Sequence, residues 1–187
     1  PEAARRQRHK TIRWVVTVFL ITVVISGIIS LVSDEVMDSS SLPVAFLILL
    51  AIVMVGIIFD IIGMAVASAD EKPFHSMAAR KVPGSQEAIR LLRNAERVSS
   101  ICNDVVGDIC GVVSGSASAT IAALILTQVD VGWPRGVSLV MSALVAGLTV
   151  GGKAIGKTFA VNSCTQIVHM VGKVLHALNG LHGKKKK

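Results

Sequence analysis

The stretch LPVAFLILLAIVMVGIIFDIIGMAVASA, Leu42 to Ala69, decides the fold, and Asp60 is its only charge. A helix needs roughly 20 apolar residues to cross the hydrocarbon core of a bilayer. A soluble helix of this length would carry a polar stripe at helical spacing, and none is present here. The stretch therefore reads as a membrane-spanning helix. Working outward, three more stretches have the length. Trp14 to Ser33 carries no charge, Val98 to Thr127 contains Asp104 and Asp108, and Val137 to Ile155 is interrupted only by Lys153. The sequence predicts an all-α polytopic membrane protein with four spans, at about 14–33, 42–69, 98–127 and 137–155.

Composition agrees. The 187 residues are 52% hydrophobic and 17% charged, against about 25% charged in soluble domains. Mean hydropathy is +0.66. So large an apolar fraction excludes a disordered chain. Aromatic residues make up 4%, without tyrosine, which speaks against a stacking platform for single-stranded nucleic acid, and no nucleic-acid partner is expected. Cys102, Cys110 and Cys164 sit in apolar stretches without metal-ligand spacing, so no disulfide framework is indicated.

The net charge of +7 is a topology signal. Residues 1–13 carry Arg5, Arg6, Arg8, Lys10 and Arg13, whereas the loop after the first span carries Asp34, Glu35 and Asp38 without a basic residue. The stretch 71–97 carries Lys72, Arg80, Lys81, Arg90, Arg93 and Arg97. The short loop before the last span has Asp130 and Arg135, and the C-terminal part has Lys157, Lys173 and Lys184 to Lys187. Basic residues stay in the cytoplasm. Both termini and the 71–97 stretch are thus expected inside a plasma membrane, and the two short loops outside. The first apolar run exceeds the roughly 7–15 residues of a signal-peptide core and shows no clear cleavage site, so it is kept as a helix. The basic tail 179–187 either meets anionic lipid or ends as a solvated segment.

Two further segments are too charged to cross. Within 72–97, Pro83-Gly84 marks a break. After it, Ala88, Leu91, Leu92 and Ala95 share a helical face, and Arg90, Arg93, Glu96 and Arg97 lie mostly on the other. In 161–178, Cys164, Ile167, Val168, Val171, Leu175 and Leu178 form an apolar stripe, with Asn162, Gln166, His169, Lys173 and His176 facing away. Both segments are expected as amphipathic helices at the cytoplasmic interface. His169 and His176 stand two turns apart, too far to share one ion, and read as a solvated face.

Ionisable groups at membrane depth cost from about 2.5–3.5 kcal/mol each and face the bundle interior. Asp60, Asp104, Asp108 and Lys153 are these groups. Asp104 and Asp108 are four apart, one helix face, with Asn103 beside it. Carboxylate and amide oxygens suit a hard cation such as Mg²⁺. An Asp60–Lys153 ion pair is the plain alternative. Gly107, Gly111 and Gly115, and Gly147, Gly151, Gly152 and Gly156, permit close helix packing within the chain or in a dimer. No HExxH is present, the spacing supports no Ser/His or paired-Asp arrangement on facing helices, and no enzymatic activity is expected.

At these residues the sequence resembles the transmembrane domain of the CorB/CorC/CNNM magnesium-transporter family, over about residues 45–178. Glu87-Ala88-Ile89-Arg90-Leu91-Leu92-Arg93-Asn94-Ala95-Glu96-Arg97 resembles the family's cytoplasmic helix ending LLxNPER. Gly152-Lys153-Ala154-Ile155-Gly156-Lys157-Thr158 resembles its GEIxPKT, and Phe59 to Ala65 sits where the family has FSGxETA. The helix 14–33 is additional. The resemblance implies a homodimer and an intramembrane magnesium site built from two serines, an asparagine and a glutamate. Here the serine positions fall on Gly56 and Asp60, the asparagine region holds Asn103, Asp104 and Asp108, and the glutamate position is Lys153. Gly63 and Gly156 replace the family's second glutamate and its proline. The residues given hold no counterpart of the family's CBS domains, so no nucleotide is expected.

Two functions follow as expectations. One is a minimal divalent-cation transporter of Mg²⁺ type, with Asp60, Asn103, Asp104 and Asp108 as metal ligands and Lys153 as the charge partner that releases or replaces the ion. The other is a non-transporting scaffold or accessory subunit, working with a protein partner, whose Asp–Lys pairs replace the ion site.

Overall fold

The computed structural model describes residues 2–38, 40–128 and 132–183. Asp130 and the lysines Lys184 to Lys187 lie outside the described residues. So do the side chains of Arg5, Arg6, Arg8, Lys10, Asp34, Asp38 and His182. Secondary structure is helical throughout, with no strand among the described residues. The order is α1 (Glu2–Asp38), α2 (Leu42–Ser68), α3 (Lys72–Ala79), α4 (Ser85–Arg93), α5 (Ala95–Ser100), a π-helical turn (Ile101–Gly107), α6 (Asp108–Gln128), α7 (Pro134–Asn162) and α8 (Cys164–Gly183).

Four stretches are helical, long and apolar enough to cross a membrane: Ile12–Ser33, Leu42–Ser68, Ala95–Gln128 and Pro134–Asn162. The protein thus has the helices of a multi-pass membrane protein. The last two outrun the apolar stretches that announced them. Charge ends an apolar run without ending a helix: Glu96 and Arg97, and Lys153 and Lys157, are all helical. Pro134 opens α7, where a missing N–H costs nothing.

The chain divides into two contact units. One comprises Pro1–Val53 and Asp108–Ala146. In it α1 packs against α6. Ile109, Val113, Ala117 and Ile121 recur every fourth residue of α6 and are buried. Ser114 and Ser118 are buried beside them, their hydroxyls donating to the Gly111 and Gly115 carbonyls at 2.9 and 2.8 Å. α1 leaves Val15, Phe19, Leu20 and Leu31 exposed among other apolar side chains, of the kind that meet lipid.

The other unit comprises Met54–Gly107 and Gly147–Lys187. Its core joins Ala65 and Val66 of α2, Phe74 of α3, Ala88, Ile89 and Leu92 of α4, Ala160 of α7 and Val168 of α8. α3 closes with a Schellman motif: Val82 N–H reaches Met77 O at 3.0 Å and Lys81 N–H reaches Ala78 O at 2.9 Å. Lys81 takes the left-handed position at φ 56°. Gly84 (φ 83°) then opens α4.

A glycine at 84 is needed twice over. Its φ suits glycine, and a Cβ there would lie 2.5 Å from the Lys173 backbone nitrogen. The reciprocal glycine is Gly172, where a Cβ would collide with Gly84 O. α4 and α8 thus cross backbone to backbone. One turn on, His176 Nδ1–H donates to Glu87 Oε1 at 3.0 Å. This hydrogen bond holds the Glu87 carboxyl below its ordinary value of 4.5, against the upward push of burial. Arg90 and Arg93 stand on the exposed side of α4.

Candidate functional site

The second unit brings together one buried carboxylate and two ammonium groups. Asp60, on α2, is 3% exposed. Its neighbours follow from helix periodicity. Lys153 and Lys157 are four apart on α7 and so project from one face. Lys157 Nζ lies 3.9 Å from Asp60 Oδ2. Lys153 Nζ instead donates to the Gly107 carbonyl at 3.3 Å.

Gly107 closes the π-helical turn and faces this meeting. A Cβ there would stand 3.4 Å from Lys153 Nζ and 3.9 Å from Asp60 Oδ1. The π turn bonds each N–H to the carbonyl five residues back, a geometry frequent at functional sites. α7 approaches α2 through glycines as well. A Cβ at Gly156 would lie 2.8 Å from Ile61 Cγ1, and one at Gly152 would strike Ile57 Cδ1.

Two side-chain oxygens here are buried without a hydrogen-bond partner among the described residues: Asp60 Oδ2 and Asn103 Oδ1. Asn103 Nδ2 donates to Ser99 Oγ at 3.3 Å, while its Oδ1 packs against Gly63, where a Cβ would collide with it. Asn103 also lines a cavity of about 360 Å³ with Ala67, Ala95, Glu96, Ser99, Ser100 and Asp104.

The remaining expected ligands stand differently. Asp104 and Asp108 are both exposed, and the π turn interrupts the α register between them. Asp108 begins the α6 segment of the first unit. Among the described residues no group of three or more His, Cys, Asp or Glu could hold a metal ion. The Asp60 carboxylate and the Asn103 amide each keep one buried oxygen without a partner, while the Gly107 carbonyl accepts from Lys153. Asp60 and Lys153 sit in one neighbourhood, as their charges suggest, but the ammonium beside Asp60 Oδ2 is that of Lys157. The apolar run that marks the last span contains Lys153 but ends before Lys157. The signal that finds Lys157 is its spacing of one helical turn, provided α7 is taken to continue past Gly156. His169, read as solvated, is half-buried on α8, and its Nε2 is the third buried atom without a partner.

Neither a family model, nor a curated protein, nor a solved structure matches the chain. The class that fold and site define is a multi-pass helical membrane protein with a carboxylate–ammonium centre.

Proposed function

We propose that this protein handles a divalent cation of Mg²⁺ type within the membrane, as a minimal member of the CorB/CorC/CNNM kind, and that Asp60 is the anionic centre of its site. One observation carries the reading: Asp60 Oδ2 is buried in an apolar helix and accepts no hydrogen bond among the described residues. A carboxylate oxygen at that depth is costly unless compensated. It is the type of ligand Mg²⁺ takes, usually in a small number and with water retained. Asn103 Oδ1 is the second oxygen assigned to the ion, with Asp104 as an acidic group lining the cavity beside it. In this reading Lys153 and Lys157 are the counter-charges when the ion is elsewhere, and the centre alternates between them and the cation.

The basic residues of 1–13, 71–97 and the C-terminal part set both termini in the cytoplasm of a plasma membrane. α4 and α8 lie along its inner surface with Arg90, Arg93 and Lys173 toward headgroups. The open faces of Gly111 and Gly115, beside which a Cβ would meet nothing within 4 Å, serve contact with a second copy.

A second reading is favoured by the Lys157 ammonium at the Asp60 carboxylate, with Lys153 in the same neighbourhood: a scaffold whose charges neutralise each other and which needs no ion. Reconstitution in liposomes separates the two. The transporter reading expects Mg²⁺ or Mn²⁺ entry above protein-free vesicles and its loss in Asp60→Asn. No entry in the wild type, with entry appearing in Lys153→Glu, means the scaffold reading holds.

A further inference from the structure

The two lysines in the neighbourhood of Asp60 are held differently. Lys153 Nζ is anchored by a hydrogen bond to Gly107 O. Lys157, beside Oδ2, makes an ion pair of 3.9 Å without a hydrogen bond, held by charge alone. The two ends of that pair also differ in burial: the Asp60 side chain is 5% exposed and that of Lys157 is 49% exposed. One partner is fixed in the interior and the other is half outside. α7 ends at Asn162, so Lys157 is one turn nearer the helix end than Lys153. Its four-carbon stem is flexible and can carry the ammonium outward to water or headgroups.

We propose that Lys157 is a detachable plug on the Asp60 centre. Its ammonium covers the unbonded Oδ2 from the exposed side, and a cation reaches that oxygen by displacing it. The proposal rests on Asp60 being the cation centre and names what regulates access to it. Charge counting gives the reason for mutual exclusion. With both lysines seated the centre carries one negative and two positive charges, so an arriving cation meets net repulsion. With Lys157 withdrawn, Asp60 and Lys153 balance.

The seat of Lys157 can be read without any flux assay. The full chain in detergent micelles is acetylated with a water-soluble N-hydroxysulfosuccinimide ester. The rate at Lys157 is followed by peptide mass spectrometry against exposed Lys173 as the internal reference. An ammonium held by a carboxylate reacts slowly, because its lone pair is occupied by a proton and the group is covered. The expected result is a several-fold faster reaction at Lys157 in Asp60→Asn and in Asp60→Ser, with Lys173 unchanged, and a slow reaction retained in Asp60→Glu. Equal rates in wild type and both neutral variants overturn the plug, since a lysine that points outward regardless of Asp60 reacts alike in all. A third arm adds millimolar Mg²⁺ to the wild type. Acceleration there supports displacement by the ion. Acceleration in the neutral variants without a Mg²⁺ effect means that Lys157 covers Asp60 but no cation displaces it, which overturns the plug together with the cation reading of Asp60.

Discussion

The Asp60–Lys157 pair predicts an asymmetry between its two single neutralisations. At 3.9 Å the gross attraction is about 4 kcal/mol at an effective dielectric near 20. Against it stands the cost of keeping a carboxylate out of water, several kcal/mol per ion. Asp60→Asn removes both quantities together. The Lys157 left behind is half exposed and can swing into water, and Lys153 keeps its hydrogen bond to the Gly107 carbonyl. The variant is expected within about 1 kcal/mol of wild type, as for a surface pair. Lys157→Met removes the attraction and leaves the buried carboxylate in place. Breaking a buried pair from that side costs about 3–5 kcal/mol. Lys153, hydrogen-bonded to the Gly107 carbonyl in the same neighbourhood, keeps part of the compensation, so about 2–3 kcal/mol is expected. Thermal unfolding of both variants and of the double variant in one detergent measures this. The double variant should return close to Asp60→Asn. An Asp60→Asn loss equal to or larger than that of Lys157→Met would refute the assignment of buried and mobile partners.

Three further outcomes follow from the packing. Gly172→Ala puts a methyl into the Gly84 carbonyl, a backbone atom that cannot rotate away. Overpacking of about 1–3 kcal/mol outweighs the roughly 1 kcal/mol of helix propensity gained, so the unfolding midpoint drops; a rise would contradict the crossing. Gly63→Ala drives a methyl into Asn103 Oδ1 and within 3.0 Å of Cys102 Cβ, and adding Asn103→Ala should recover part of the loss, which an additive double variant would disprove. The third concerns pH. Glu87 is held below 4.5 in the fold by His176, so this contact stabilises fully above 4.5 and is lost as pH falls through the lowered value. His176→Ala should therefore be less stable than wild type at neutral pH and converge with it in acid; a gap that persists in acid would contradict the linkage.

The four apolar helices were legible because run length without charge is a one-dimensional signal, and the bilayer sets its threshold. Asp60 was legible for the same reason, as a lone charge in such a run. The Lys157 contact was not. A lysine near the end of a span ordinarily reads as a snorkelling or loop residue, and only the continuation of α7 to Asn162 places it across from Asp60. The π turn at Ile101–Gly107 was also hidden, because nothing in ICNDVVG departs from an α-helical composition. It interrupts the i,i+4 relation on which Asp104 and Asp108 were paired, and both are exposed. The apolar face of α4 was close to legible. Ile89 is buried where Leu91 had been counted, since the helix is fixed at its start by the Gly84 crossing with α8 and stops at Asn94.

The central claim is that Asp60 is the anionic centre of a cation site. The most direct measurement is the unfolding midpoint of the purified protein in detergent, titrated separately with Mg²⁺, Mn²⁺, Ca²⁺ and Na⁺, alongside Asp60→Asn. An ion that binds only the folded state stabilises by mass action, about 2.7 kcal/mol at one hundred times its Kd. The account predicts a saturable rise with Mg²⁺ or Mn²⁺ that disappears in Asp60→Asn. A flat midpoint with every ion to millimolar concentration, or a rise that survives in Asp60→Asn, would contradict it.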